Sequence, residues 1–137
     1  MQIQQSTEMT LPLWGLCLLI IWTMFLVVLL ITKRVQHLTA GGSPADFGDS
    51  TDNKLLWRLY RAQANCAENL PLYIGAIFLL EVRNVSNSVV DSLAVTYIIF
   101  RIAHSLIHIF GFDPKYRVAC LGVQFLCLLG LIIYAIM

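Results

Sequence analysis

Charge is what this chain has least of. Only 12% of its 137 residues are Asp, Glu, Lys or Arg and 58% are hydrophobic, whereas soluble domains carry about 25% charge. The first expectation is therefore a membrane protein. The net charge of +1 says nothing about nucleic acid, and no nucleic-acid partner is expected. The first 10 residues contain no Lys or Arg, and the apolar run that follows is long for a cleavable export signal, which predicts a permanent anchor. Cysteine is sparse as well. Cys17, Cys66, Cys120 and Cys127 form no C-x-x-C pair, and all fall in apolar segments, which predicts free buried thiols. There is no internal repeat and no low-complexity tract. The length leaves room for one domain, residues 1–137, rather than two.

Long apolar runs are what the chain does have. A membrane span needs about 20 mostly apolar residues. Leu11 to Thr32 carries no charge, and Val118 to Met137 carries none either. Val89 to Phe112 is apolar except for Asp91, Arg101, His104 and His108. Leu70 to Leu80 is too short alone. It reaches span length when its helix begins upstream, near Leu55 to Arg61. The expected fold is thus an all-α integral membrane bundle of four helices, with spans at about 11–32, 56–82, 89–112 and 117–137.

Basic residues concentrate in two of the three links. Lys33, Arg34, Lys54, Arg58 and Arg61 lie in or beside the first, Lys115 and Arg117 in the third, and Arg83 alone in the second. Lys and Arg accumulate in cytoplasmic links. The asymmetry puts both termini outside, in a bacterial inner membrane or the endoplasmic reticulum. The first link, Lys33 to Lys54, is rich in Gly, Ser, Pro and Asp and reads as a loop, with Ser50, Thr51 or Asp52 to cap the next helix. Asn84-Val85-Ser86 is a glycosylation sequon on the outer side.

The remaining polar residues fall on faces. Arg58, Arg61, Asn65 and Glu68 are spaced three, four and three apart, which is one stripe on a helix of about 3.6 residues per turn. Tyr97, Arg101, His104, Ser105 and His108 form a second stripe. Charged groups in hydrocarbon are costly unless they face protein or water. Both stripes lie toward the cytoplasmic half, where Lys33, Arg34 and Arg117 also stand. One polar site walled by several helices is expected there. Guanidinium forks bind carboxylates in pairs, and a glutamate takes an ammonium group, so a small zwitterion rich in carboxylates suits the set. The bland readings differ by residue. Arg58 can serve as a lipid-facing anchor, and Arg61 with Glu68 as an ion network that holds no ligand. Asn65 can bond between helices. His104 and His108 have metal-ligand spacing, but no further Cys, Asp or Glu stands at ligand spacing, so no metal is expected. Pro71 removes a backbone bond from its helix.

The motif R-A-x-x-N-x-x-E-x-x-P at Arg61, Ala62, Asn65, Glu68 and Pro71 resembles the membrane-associated proteins of eicosanoid and glutathione metabolism, the MAPEG family, including its microsomal glutathione transferases. RIAHSLIHIFGFDPKYR, Arg101 to Arg117, resembles the third-span segment of its prostaglandin-synthase and microsomal-transferase members. The likeness covers essentially the whole chain. It implies a homotrimer with glutathione bound between subunits, held by Arg61, Gln63, Asn65, Glu68, His104, His108 and Arg117. Asn69, Tyr97, Arg101 and Arg58 are further candidates. An arginine at the end of span one activates the thiol in the family, and Arg34, with Lys33 as substitute, stands there. His108 replaces a family tyrosine, and Asn69 replaces a tyrosine of the leukotriene branch. Both departures bear on the second substrate.

The function expected from this is membrane-bound glutathione transfer, or glutathione-dependent peroxide reduction, on lipophilic electrophiles or lipid hydroperoxides arriving from membrane lipid. Glutathione is the co-substrate. Two alternatives compete. A non-catalytic lipid-binding adaptor of the same fold lacks the arginine and glutamate that this chain has at Arg61 and Glu68. A small multidrug transporter needs an acid deep in a span, typically the first, and span one has none.

Overall fold

The computed structural model describes residues 8–48 and 55–137. Four helices carry the chain: α1, Leu11–Thr39; α2, Leu55–Val82; α3, Ser88–Phe110; and α4, Pro114–Ile136. A short 3-10 helix, Pro44–Gly48, lies between α1 and α2. There is no strand among the described residues. The expected caps Ser50, Thr51 and Asp52, and Lys54 with them, lie outside the described residues.

The helix ends follow from local chemistry. Thr10 caps α1, with Pro12 in the first turn where its missing N–H costs nothing. Asn87 caps α3, its Oδ1 accepting from the Val89 and Val90 amides at 3.0 Å each. Asp113 caps α4 and Pro114 opens it. Gly111, in the left-handed region at φ 72°, ends α3. One expectation is corrected here. α1 does not stop at Thr32 but runs seven residues further, so Lys33 and Arg34 are helical and the loop begins near Ala40. VQHLT contains no breaker, and the first glycines come at Gly41 and Gly42.

α2 and α3 form the middle of the bundle. Both pack against α1 and against α4 as well as each other. α1, α3 and α4 are each long and apolar enough to cross a membrane. α2 has 28 residues, about 42 Å of helix, and it carries the polar stripe in its first half. Its unbroken course through Pro71 joins that half to the apolar one, as expected. The bundle's exterior is apolar, with Trp14, Ile21, Phe78 and Phe125 all exposed.

The interior divides along its length. Toward the chain termini it is an apolar core of Leu19, Ile77, Leu80, Val90, Leu131 and Ala135 with Tyr73 and Tyr97. That end is tied by Thr10 bonding Glu81, and by Arg83 donating to the Ala135 and Ile136 carbonyls at 2.7 and 2.8 Å. A cation on the last carbonyls of α4 also meets its helix dipole favourably. Toward the basic links the interior becomes polar, with Arg101, His104, Ser105, His108 and Gln124 all buried. The thiols Cys66, Cys120 and Cys127 are free and buried, while Cys17 is free and half-buried.

Candidate functional site

A cleft of about 370 Å³ opens at the basic end, between the first turns of α2, the α3–α4 turn and the first turn of α4. Arg58, Arg61, His108 and Arg117 supply its polar lining, Trp57 and Phe112 its aromatic lining. The turn places them. Gly111 adopts a conformation that strains other residues, and a β-carbon there would collide with the Arg58 guanidinium. Asp113 then accepts from the Lys115 amide at 2.9 Å and sets the direction of α4. Arg117, in that first turn, points back to α3, with its guanidinium 3.2 Å from His108 Nδ1.

Three guanidiniums share this cleft, and among the described residues no carboxylate lines it. The ion pair among the described residues is elsewhere, between His37 and Asp46 at 2.7 Å. Like charges gathered in a half-buried space repel, so the cleft favours an anionic occupant. His108 is poised between two donors. Its Nδ1 meets Arg117, and its Nε2 lies 3.2 Å from Asn65 Nδ2. A neutral imidazole accepts at one nitrogen only, so His108 bonds one of these neighbours at a time. Asn65 also donates to the Arg61 carbonyl at 2.8 Å.

Behind the cleft lies a buried polar layer that does not line it. Arg101, 1% exposed, donates to Gln124 Oε1 at 2.7 Å. Gln124 Nε2 donates in turn to the Phe100 carbonyl at 3.1 Å. His104 meets His108 edge to face, with centroids 4.9 Å apart. Tyr97 stacks on Tyr73 at 4.9 Å. Ser105 joins Cys66 at 3.1 Å and the Arg101 carbonyl at 3.2 Å.

The other candidates from the sequence stand further out. The Arg34 guanidinium lies over the Phe47 and Tyr60 rings, at 5.0 and 5.8 Å. Tyr60 meets Trp57 at 5.5 Å, and the Arg61 guanidinium lies 5.9 Å over Trp57. This row, with two rings between two cations, leads from α1 to the cleft, so Arg34 connects to it without lining it. Lys33 bonds Gln36 at 3.1 Å and lines a separate hollow with His37 and Asp46. Gln63 is half-buried away from the cleft. Glu68 is exposed on the bundle's outer surface. Asn69 donates to the Asn65 carbonyl at 2.9 Å and borders an apolar groove between α2 and α4.

A model of the MAPEG family matches residues 12–137. The chain belongs to the MAPEG family. No curated protein and no solved structure matches it. MAPEG proteins are helical bundles of the membrane, tied to glutathione and eicosanoid metabolism, and they include enzymes and non-enzymatic members. This MAPEG protein is accordingly an integral membrane protein.

Two features of the site were not foreseen. Trp57, Gly111 and Phe112 line the cleft, and Gln124 holds Arg101. The Gln124 signal was present, as the only amide side chain in α4. A polar group inside a span calls for a partner. Phe112 and Gly111 gave no such signal, because their importance comes from the geometry of the turn.

Proposed function

We propose that this MAPEG protein binds glutathione at the arginine cleft and uses its thiolate on a lipophilic electrophile or a lipid hydroperoxide. The observation that carries this reading is the convergence of Arg58, Arg61 and Arg117 on one cleft with no carboxylate among the described residues that line it. Glutathione brings two carboxylates, and arginine forks bind them in pairs. Family membership supplies the name of the ligand; the cleft supplies the reason this chain would hold it.

The residue roles follow from position. Arg61 and Arg117 take the glycine carboxylate, and Arg58 adds a third cation. His108 positions Arg117 through the bond described above, with Asn65 beside its other ring nitrogen. Glu68 stands seven residues beyond Arg61, about 10 Å along the helix. An extended tripeptide spans about 10 Å, so Glu68 takes the ammonium group at the far end of the ligand. Gln63 and Asn69 flank this path on α2. His104 acts from behind His108, and Arg101 and Tyr97 stiffen the layer beneath.

Glu68 is exposed in a single copy, and an exposed carboxylate in a span is costly. A neighbouring copy would cover it, which supports the homotrimer with glutathione between subunits. In that assembly Arg34 of one copy, or Lys33 in its place, stabilises the thiolate at an adjacent cleft. The thiolate is the nucleophile, and a nearby guanidinium favours it over the thiol. The site faces the cytoplasm, by the charge asymmetry of the links.

Turnover tests the reading. Protein in lipid vesicles, given glutathione with a generic aryl halide or a lipid hydroperoxide, should consume one or both, and Arg61→Ala should lose most of that rate. A protein that consumes neither, yet binds lipid, is the non-catalytic adaptor. Ultraviolet detection of bound thiolate separates the role of Arg34: Arg34→Ala should lower that signal at saturating glutathione. An unchanged signal assigns the role to the cleft's own arginines.

A further inference from the structure

The cleft and the apolar groove beside it lie on continuous helix faces. On α4, Arg117 lines the cleft, and Leu121, Gln124 and Leu128 line the groove. These four are spaced four, three and four apart, one stripe. On α2, Arg61 lines the cleft, and Asn69 and Leu72 line the groove. The groove holds about 410 Å³ and is almost wholly apolar, with Val118 and Phe125 completing its wall. A cationic cleft thus runs on into an apolar trough.

We propose that this composite surface holds an anionic phospholipid, with its phosphate at Arg58, Arg61 and Arg117 and an acyl chain along α2 and α4. Three features select that occupant. Phosphate oxygens match guanidinium forks, and the forks of Arg58, Arg61 and Arg117 face one space with no carboxylate among its described lining residues. Glutathione carries a net charge near −1 and leaves part of that cationic charge unmatched, whereas a phosphate monoester carries up to −2. Phe112, in the cleft lining, and Phe110, with its ring 6.1 Å from that of Phe112, are exposed at 57 and 64%. Aromatic rings of this kind sit at the level of lipid headgroups. Finally, Gly122 leaves open space on the groove wall, where a chain can lie against backbone. The lipid and glutathione then compete for the same three arginines, and the membrane's anionic lipid content regulates access to the site.

The lipid site stands without the glutathione reading, because its test contains no thiol. The full chain, purified in detergent, is offered phosphatidic acid against phosphatidylcholine, and native mass spectrometry counts the lipid retained. Phosphatidic acid should be retained at about one per protomer. Arg58→Gln and Arg117→Gln should each weaken retention about tenfold or more, the scale of a lost hydrogen bond to a charged group. Lys115→Gln, an exposed cation on the same turn outside the cleft lining, should leave it unchanged. Leu121→Trp should weaken lipid retention by filling the groove. Arg58→Lys, with its helix content checked by circular dichroism, should keep most of the binding and so exclude misfolding as the cause of the losses. Equal losses in Lys115→Gln and Arg58→Gln overturn the proposal in favour of a diffuse basic surface. Glycerol phosphate binding as tightly as the lipid also overturns it, since the site would then be one for free phosphate esters. Equal retention of phosphatidylcholine does so as well.

Discussion

At Gly111 two demands meet in one residue. Its φ of 72° is a conformation other residues adopt with strain, and the Arg58 guanidinium fills the space a β-carbon would need. Gly111→Ala is therefore expected to cost about 1–2 kcal/mol and to displace Arg58 from the cleft. A thermal melt in detergent measures the first effect, and an unchanged melting temperature would refute it. The sequence spacing showed that Tyr97, Arg101, His104 and His108 share a face, and they do. It did not show how deep each lies. His108 reaches the cleft, while inside the bundle Tyr97 stacks on Tyr73, Arg101 bonds Gln124 and His104 lies behind His108. Periodicity gives a direction around a helix. What stands opposite is decided by packing between helices far apart in sequence. Arg58 shows the same limit: spacing left it between lipid anchor and site, and the fold puts it in the cleft lining.

The contact between α3 and α4 depends on a polar hinge in a mostly apolar interface. Arg101 uses Gln124 as its side-chain hydrogen-bond partner, and Gln124 is itself fixed by the Phe100 carbonyl. Gln124→Leu should therefore destabilise the protein by about 1.5–3 kcal/mol, by leaving a buried cation without its acceptor. Adding Arg101→Met should recover most of that loss, because an apolar pair of similar volume replaces a buried polar one. Paired melting curves decide it; a double variant less stable than Gln124→Leu alone would contradict the account. The helices themselves were legible from apolar run length and from caps such as Asn87 and Asp113. The end of α1 was not. Lys33 and Arg34 marked the membrane boundary, and a helix can continue beyond that boundary until a breaker stops it, here near Gly41.

For the whole molecule, charge sorts the architecture. The apolar exterior belongs in lipid, the basic links gather at one end, and the polar interior opens there. Glu68 is the feature that a single copy leaves unexplained, exposed on the outside of a membrane helix. The proposed homotrimer would cover it. Native mass spectrometry or crosslinking of protein in mild detergent should show trimers, and a persistent monomer would argue against a site shared between subunits. The central claim, that the arginine cleft holds glutathione, is tested most directly by equilibrium binding of glutathione to the purified protein. The account predicts saturable binding below about 10 mM. Arg61→Ala and Arg117→Ala should each weaken it about tenfold or more, and Lys115→Ala should not. No binding up to about 10 mM, or equal binding by all four proteins, would contradict it.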